Sequence, residues 1–225
     1  MITLIEAARN IQTFESGSLT DRLSALQNSF QGKGKADSES LCSSLNINPS
    51  LLDSALVLKK VAGQINVVVH SIGILVSLPC ILEEDEIIES LSLGAGNTGR
   101  PFDLETDRRL AEFKFIQWRG GSESIRQNSL FKDFYWLAEY DKDTTKDRYL
   151  YVVGLEHPEK FLTGGRALGS VMSRNNKLLT DFQRRYEGRF SKVCEYYEYR
   201  KSRVQLVDIM KAAPPLADIF GQQGG

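Results

Sequence analysis

The spacing of apolar positions predicts a β-hairpin in the middle of the 225-residue chain. In residues 111–118, apolar and polar side chains alternate as they do in a strand with one buried face. Residues 102–105 alternate in the same way. A two- or four-residue turn centred on Asp107 and Arg108 gives three facing pairs: Phe102 with Phe113, Leu104 with Ala111, and Asp103 with Glu112. One face of the hairpin is then predicted to be apolar and the other charged.

The patterns on either side of the hairpin predict the other elements of an α/β domain. Residues 86–93 alternate as a strand, residues 124–140 carry an apolar helical face, and residues 148–155 form an apolar run suited to a buried strand. A right-handed crossover through the helix would place this last strand parallel to the hairpin. Before them, residues 49–79 predict a long apolar helix that ends near Pro79.

A change of composition predicts a domain boundary near residue 45. Two helix-like segments are followed by a connector, residues 31–44, which is rich in Gly, Lys and Ser and reads as mobile. We therefore expect a helical N-terminal appendage and linker over residues 1–45 and the main domain over residues 46–211. Residues 212–225 are expected to be a C-terminal tail, either poorly ordered or docked on the domain.

Residues 61–82 contain no charged side chain and are long enough to span a bilayer. Polar groups, including Gln64 and His70, interrupt the segment, and each would need a partner in lipid. We therefore favour a helix buried in the domain core over a membrane span. Three widely separated cysteines and the lack of a signal-like N-terminus predict a cytoplasmic protein.

The charged face of the hairpin carries candidate chemistry. Asp103 and Glu112, placed opposite each other, have Cβ atoms about 5 Å apart and repel unless a cation compensates them. Carboxylate oxygens suit Mg²⁺ or Mn²⁺, and Lys114 on the same side could hold an attacking water or a developing oxyanion. The alternative is that this is the solvated face of an antiparallel sheet.

The order of Asp103 followed by Glu112-Phe113-Lys114 in an apolar strand resembles the PD-(D/E)xK nuclease superfamily. The resemblance extends over residues 87–155, with Phe102 where the motif has proline. It implies a restriction-endonuclease-like fold, a central mixed β-sheet flanked by helices. It also implies that Asp103 and Glu112 ligate Mg²⁺ or Mn²⁺ and that Lys114 is the catalytic lysine. The helix before the first strand often offers a polar residue to such a site, so His70 is either that residue or a hydrogen-bonded core histidine.

The implied function is metal-dependent hydrolysis of nucleic-acid phosphodiester bonds, DNA being favoured over RNA, in defence or repair. The alternatives are a non-catalytic interaction subunit that keeps the fold, and a membrane-attached protein. The formal charge is −1, and only residues 100–225 carry a basic surplus, 22 Lys and Arg against 18 Asp and Glu. Because this surplus is small, a partner subunit or a second copy would have to supply part of the positive charge that binds nucleic acid.

Weaker candidates lie elsewhere in the chain. Glu89 is either a further acid near the metal or a solvated strand residue. The G-x-G-x-x-G segment at residues 94–99 is followed by a predicted strand rather than a helix, so a hairpin connection is favoured over a nucleotide site. Basic and aromatic residues at 174–190 either bind a sugar-phosphate backbone and stack bases or form an amphipathic helix with a solvated basic side.

Overall fold

The computed structural model describes residues 2–15, 18–94, 101–118 and 123–221. It shows an α/β protein with a five-stranded open mixed sheet, in the order β1-β2-β3-β4-β5, flanked by helices. The strands are β1 Ile88–Leu91, β2 Leu104–Thr106, β3 Arg109–Lys114, β4 Asp147–Val152 and β5 Gln205–Asp208. The helices are α1 Leu4–Glu15, α2 Leu19–Phe30, α3 Lys35–Ser44, α4 Pro49–Ile81, α5 Ser124–Ala138, α6 Glu156–Leu162, α7 Leu168–Met172, α8 Asn176–Tyr186, α9 Val193–Arg200, α10 Ile209–Ala212 and α11 Pro214–Gly221.

The predicted hairpin is confirmed, with its register. β2 pairs antiparallel with β3, Leu104 lies opposite Ala111, and the two-residue turn is Asp107 and Arg108. β1 pairs antiparallel with β2, while β3, β4 and β5 are parallel to one another. The strands predicted at residues 86–93 and 148–155 and the helix predicted at 124–140 correspond to β1, β4 and α5.

Both faces of the sheet are covered, so the expectation of an open, solvated charged face is wrong. On one face, Leu110 of β3 packs in a core built mainly with α5 to α9. On the other, Ala111 and Phe113 pack with residues of α4, α10 and α11. The predicted facing of Phe102 with Phe113 is also wrong. Phe102 lies in the core that contains Leu110, edge-on to Tyr140 with ring centroids 4.9 Å apart. Alternation along a strand predicts which residues share a face of the sheet, but it does not predict whether a helix from elsewhere in the chain covers that face.

The chain divides into two compact units, residues 1–66 and residues 67–225, with the division inside α4. In the first unit, Asn10 of α1 donates a hydrogen bond to Ser54 of α4, at 3.0 Å. Residues 35–44 of the predicted mobile connector form α3 instead. Its Ser38 and Ser44 donate hydroxyl hydrogen bonds to carbonyls of the preceding turn, so serine is accommodated within the helix.

Within the second unit, α4 contributes only one of its sides to the core. Ile74 and Leu78 are buried against the sheet, and Gly73 allows the ring of Phe115 to approach closely. Val68 and Ile72 stay exposed, so the expected core helix is only half-buried. By length and composition α4 could cross a membrane.

At the end of the chain, residues 214–221 form α11, and its Leu216 and Phe220 are buried in the core. Of the two alternatives for the predicted C-terminal tail, the docked segment is therefore the one observed.

Candidate active site

The structure brings Asp103, Glu112 and Lys114 together in the second unit. Asp103 directly precedes β2, and Glu112 and Lys114 occupy alternate positions of β3. The Leu104–Ala111 pairing sets Asp103 opposite Glu112. The backbone N–H of Phe113 donates a 3.0 Å hydrogen bond to Oδ2 of Asp103. The predicted trio is thus positioned by the sheet itself.

The pKa values of the two carboxyl groups are shifted in opposite directions. Burial raises the pKa of Glu112 well above its usual range, and the negative charges of Asp133 and Asp103 and a hydrogen bond with Asp103 raise it further. Burial also raises the pKa of Asp103, but interactions with His70, the backbone N–H of Phe113 and Lys114 together outweigh it, so this pKa is lowered. Glu112 therefore binds a proton more tightly than Asp103 does.

Asp133 of α5 is a site residue that the sequence analysis missed. Its carboxylate, with a side chain only 3% exposed, forms ion pairs with Lys114 and, at 3.1 Å, with Lys132. Burial lowers the pKa of Lys114, but the charges of Asp133 and Glu112 outweigh it and raise the pKa, so the ammonium stays charged. The sequence did contain a sign of it, because Asp133 shares the apolar side of the predicted helix with Leu130, Phe134 and Leu137. An acid on the buried side of a helix needs a partner.

His70 of α4 joins the site through Asp103. Its Nε2 lies 3.3 Å from Oδ1 of Asp103, and its ring lies edge-on to Phe115 with centroids 6.0 Å apart. The Ser71 hydroxyl donates a 2.6 Å hydrogen bond to the carbonyl of Leu93, which ties α4 to the segment after β1. His70 is therefore hydrogen-bonded, as both alternatives for it allow, and its partner is Asp103, the first carboxylate of the motif.

The other candidates are not brought to this site. Glu89 accepts a 2.6 Å hydrogen bond from Lys146, so its charge is compensated elsewhere. Phe182 and Tyr186 are buried in the core on the inner side of α8, so of the two alternatives for this segment the amphipathic helix is the one observed. Residues 95–99 of the glycine-rich segment lie outside the described residues.

The residues present fit a hard divalent cation with few protein ligands. Within the described ranges, no cluster of three or more His, Cys, Asp or Glu side chains forms a ready-made metal site. Mg²⁺, however, usually takes one or two carboxylates and completes its shell with water and substrate phosphate. Asp103 and Glu112 meet that requirement, and the like charges that raise the pKa of Glu112 are ones that a cation would compensate.

Comparison with known proteins adds no relative. No protein family matches the chain, and no characterised protein and no solved structure is significantly similar to it. A function for the chain is therefore inferred from the geometry of the site.

Proposed function

We propose that this chain is a PD-(D/E)xK-type nuclease with a restriction-endonuclease-like fold, hydrolysing phosphodiester bonds of DNA with Mg²⁺ or Mn²⁺. Support comes from the order of the elements: a helix, an antiparallel three-stranded unit, a crossover helix and a parallel strand. This is the order that the resemblance implies for a nuclease core. The three free cysteines agree with a cytoplasmic location.

The observation that carries the proposal is the placement of Asp103 opposite Glu112, beside the ion pair of Lys114 with Asp133. Acids whose pKa is raised by desolvation and by neighbouring like charges, as that of Glu112 is, are concentrated at functional sites. A bound divalent cation would supply the compensating charge and polarise the scissile phosphate. Because a cation binds the ionised form of Glu112, whose pKa is raised, affinity should rise with pH.

The surrounding residues then have separate tasks. Asp133 holds the ammonium of Lys114, which lies on the same face of β3 as Glu112 and can orient water or stabilise negative charge on the phosphate. His70 and the N–H of Phe113 fix the two oxygens of Asp103. His70 is thus a positioning residue for the first ligand.

The decisive experiment compares Glu112→Gln with Glu89→Gln in cleavage assays on plasmid, linear duplex and single-stranded DNA and on RNA. Both variants remove one carboxylate from a strand of the same sheet, but only Glu112 faces Asp103. We expect Glu112→Gln to abolish cleavage that depends on Mg²⁺ or Mn²⁺, and Glu89→Gln to cleave as the wild type does. Calorimetric titration with Mn²⁺ should show weakened binding for Glu112→Gln alone.

Two outcomes would contradict the nuclease assignment. Cleavage by Glu112→Gln at the wild-type rate would remove Glu112 from the chemistry. A folded wild-type protein that cleaves none of these substrates would favour the alternative, a non-catalytic subunit that retains the fold.

A further inference from the structure

The outer side of α4 in the second unit is an exposed apolar stripe, which we define as Val68, Ile72, Leu75 and Val76. Their exposed fractions are between 37% and 54%, although the opposite side of the same helix is buried. A helix on a protein surface normally carries polar side chains on its outer face. A contiguous apolar stripe of this kind marks an interaction site.

We propose that this stripe is covered by α4 of a second copy of the chain, packed antiparallel to the first. The spacing of the apolar positions supports a helix as the occupant. In sequence, the stripe continues a regular series in which steps of four and three residues alternate: Val61, Ile65, Val68, Ile72 and Leu75. This is the spacing of a two-helix seam, in which side chains of one helix insert between those of the other.

The charges at the two ends of the uncharged segment favour a second copy in antiparallel orientation. Lys59 and Lys60 precede the segment, and Glu83, Glu84 and Asp85 follow it. Antiparallel packing brings the basic end of each copy towards the acidic end of the other, whereas parallel packing would place like charges together. In the matching register, Val68 of one copy faces Leu75 of the other, and Ile72 lies near the two-fold axis.

A lipid surface fits the same stripe less well. A membrane span would have to withdraw Ile74 and Leu78 from the core that they share with Phe113. A helix lying in the membrane interface carries Lys or Arg on its polar face. Residues 67–81 contain neither, and the acidic residues that follow would be repelled by anionic headgroups.

The first test is sedimentation velocity of the full chain over a wide range of concentration. We expect wild type to be a dimer, and Ile72→Glu and Leu75→Glu to raise the dimer dissociation constant by about 100-fold or more, since like charges would then meet across the seam. Ile125→Glu is the matched control, because Ile125 is 74% exposed on α5. It should leave the dimer intact, and circular dichroism should show that every variant is folded.

The second test determines orientation by disulfide cross-linking, with Cys42, Cys80 and Cys194 replaced by serine. We expect a mixture of the Val68→Cys and Leu75→Cys proteins to form a mixed cross-linked dimer, and Ile72→Cys to cross-link to itself. Neither Val68→Cys nor Leu75→Cys should cross-link efficiently alone. Cross-linking of Val68→Cys to itself in preference to the mixed pair would indicate parallel packing and overturn the proposal.

Other results would also reject it. A wild-type chain that is monomeric at every concentration has no such dimer. Binding to vesicles of phosphatidylcholine and phosphatidylserine that is lost in Ile72→Glu, in a chain that stays monomeric, would identify lipid as the occupant. The dimer does not depend on nuclease activity, so Glu112→Gln should still dimerise.

Discussion

Two glutamates in the second unit, buried Glu139 and half-buried Glu112, have contrasting environments. Glu139 follows α5 and accepts hydrogen bonds from Tyr186 at 2.6 Å, Tyr196 at 2.8 Å and Arg200 at 2.7 Å. Glu112 lies near the acids Asp133 and Asp103, which raise its pKa, and near Lys114, which lowers it. One carboxylate is surrounded by donors, whereas the other is surrounded mainly by like charge.

The difference separates a structural buried charge from a functional one. Removing a buried carboxylate that has good donors destabilises the fold, because its partners are left with uncompensated charge and unmade hydrogen bonds. A buried carboxyl among other acids does not help the fold, and the chain tolerates it where a bound cation or substrate is to be held. Substitutions in the two clusters should therefore act on different properties.

The largest effect is expected for Glu139→Ala. The side chain of Glu139 is 1% exposed. Its removal strands the guanidinium of Arg200 and two tyrosine hydroxyls, which should lower the free energy of unfolding by about 3–5 kcal/mol. Urea denaturation measures this, with exposed Glu89→Ala as the control, for which the loss should stay below about 1 kcal/mol. A small loss for Glu139→Ala would show that this cluster is not structural.

Lys114→Met should affect both catalysis and stability. Loss of the preorganised charge should reduce cleavage by about 10²–10³-fold. The variant also leaves Asp133 with Lys132 as its remaining ion-pair partner, so we expect a loss of roughly 1–3 kcal/mol in the free energy of unfolding.

Adding Asp133→Asn separates the two effects of Lys114→Met. The double variant should recover most of the stability, because the unpaired buried charge is gone, and none of the activity. Recovery of cleavage in the double variant would show that Lys114 acts only through folding.

The stability of the protein should depend on pH through Glu112. Its folded-state pKa lies above the ordinary value of 4.5, so its favourable contribution is fully present below pH 4.5 and is lost as pH rises through the folded-state pKa. With EDTA present, the stability of wild type relative to Glu112→Gln should fall by up to about 1.4 kcal/mol per pH unit in that window. Denaturation at several pH values measures it. A difference that does not change with pH would mean that Glu112 is ionised throughout.

The smallest effect is expected for Arg185→Ala. Arg185 is 30% exposed and lies 3.5 Å from Glu139, with further pairs to Asp141 and Asp181. Because the guanidinium is partly exposed and its contact with Glu139 is long, these pairs contribute little, and the loss in unfolding free energy should be below about 1 kcal/mol. A loss as large as that of Glu139→Ala would place Arg185 among the essential partners of the cluster.

The sequence by itself determined the elements whose signals are local. Alternation over residues 102–118 predicted the hairpin, its turn and the Leu104–Ala111 pairing, and this register is what sets Asp103 opposite Glu112. A register error of one residue would have exchanged the faces of the strand, so the pattern carries strong information. Helical periodicity predicted α5 and most of α4 for the same reason.

Tertiary structure alone decided what covers each face of the sheet. The alternation in β3 is the same whether Glu112 faces water or a helix, so the burial that raises its pKa, and the ion pair of Lys114 with Asp133, could not be predicted from it. The contact between His70 and Asp103 joins residues far apart in sequence. The exposed stripe on α4 could not be predicted either, because its sequence is apolar on every side and only packing selects the side that meets the sheet.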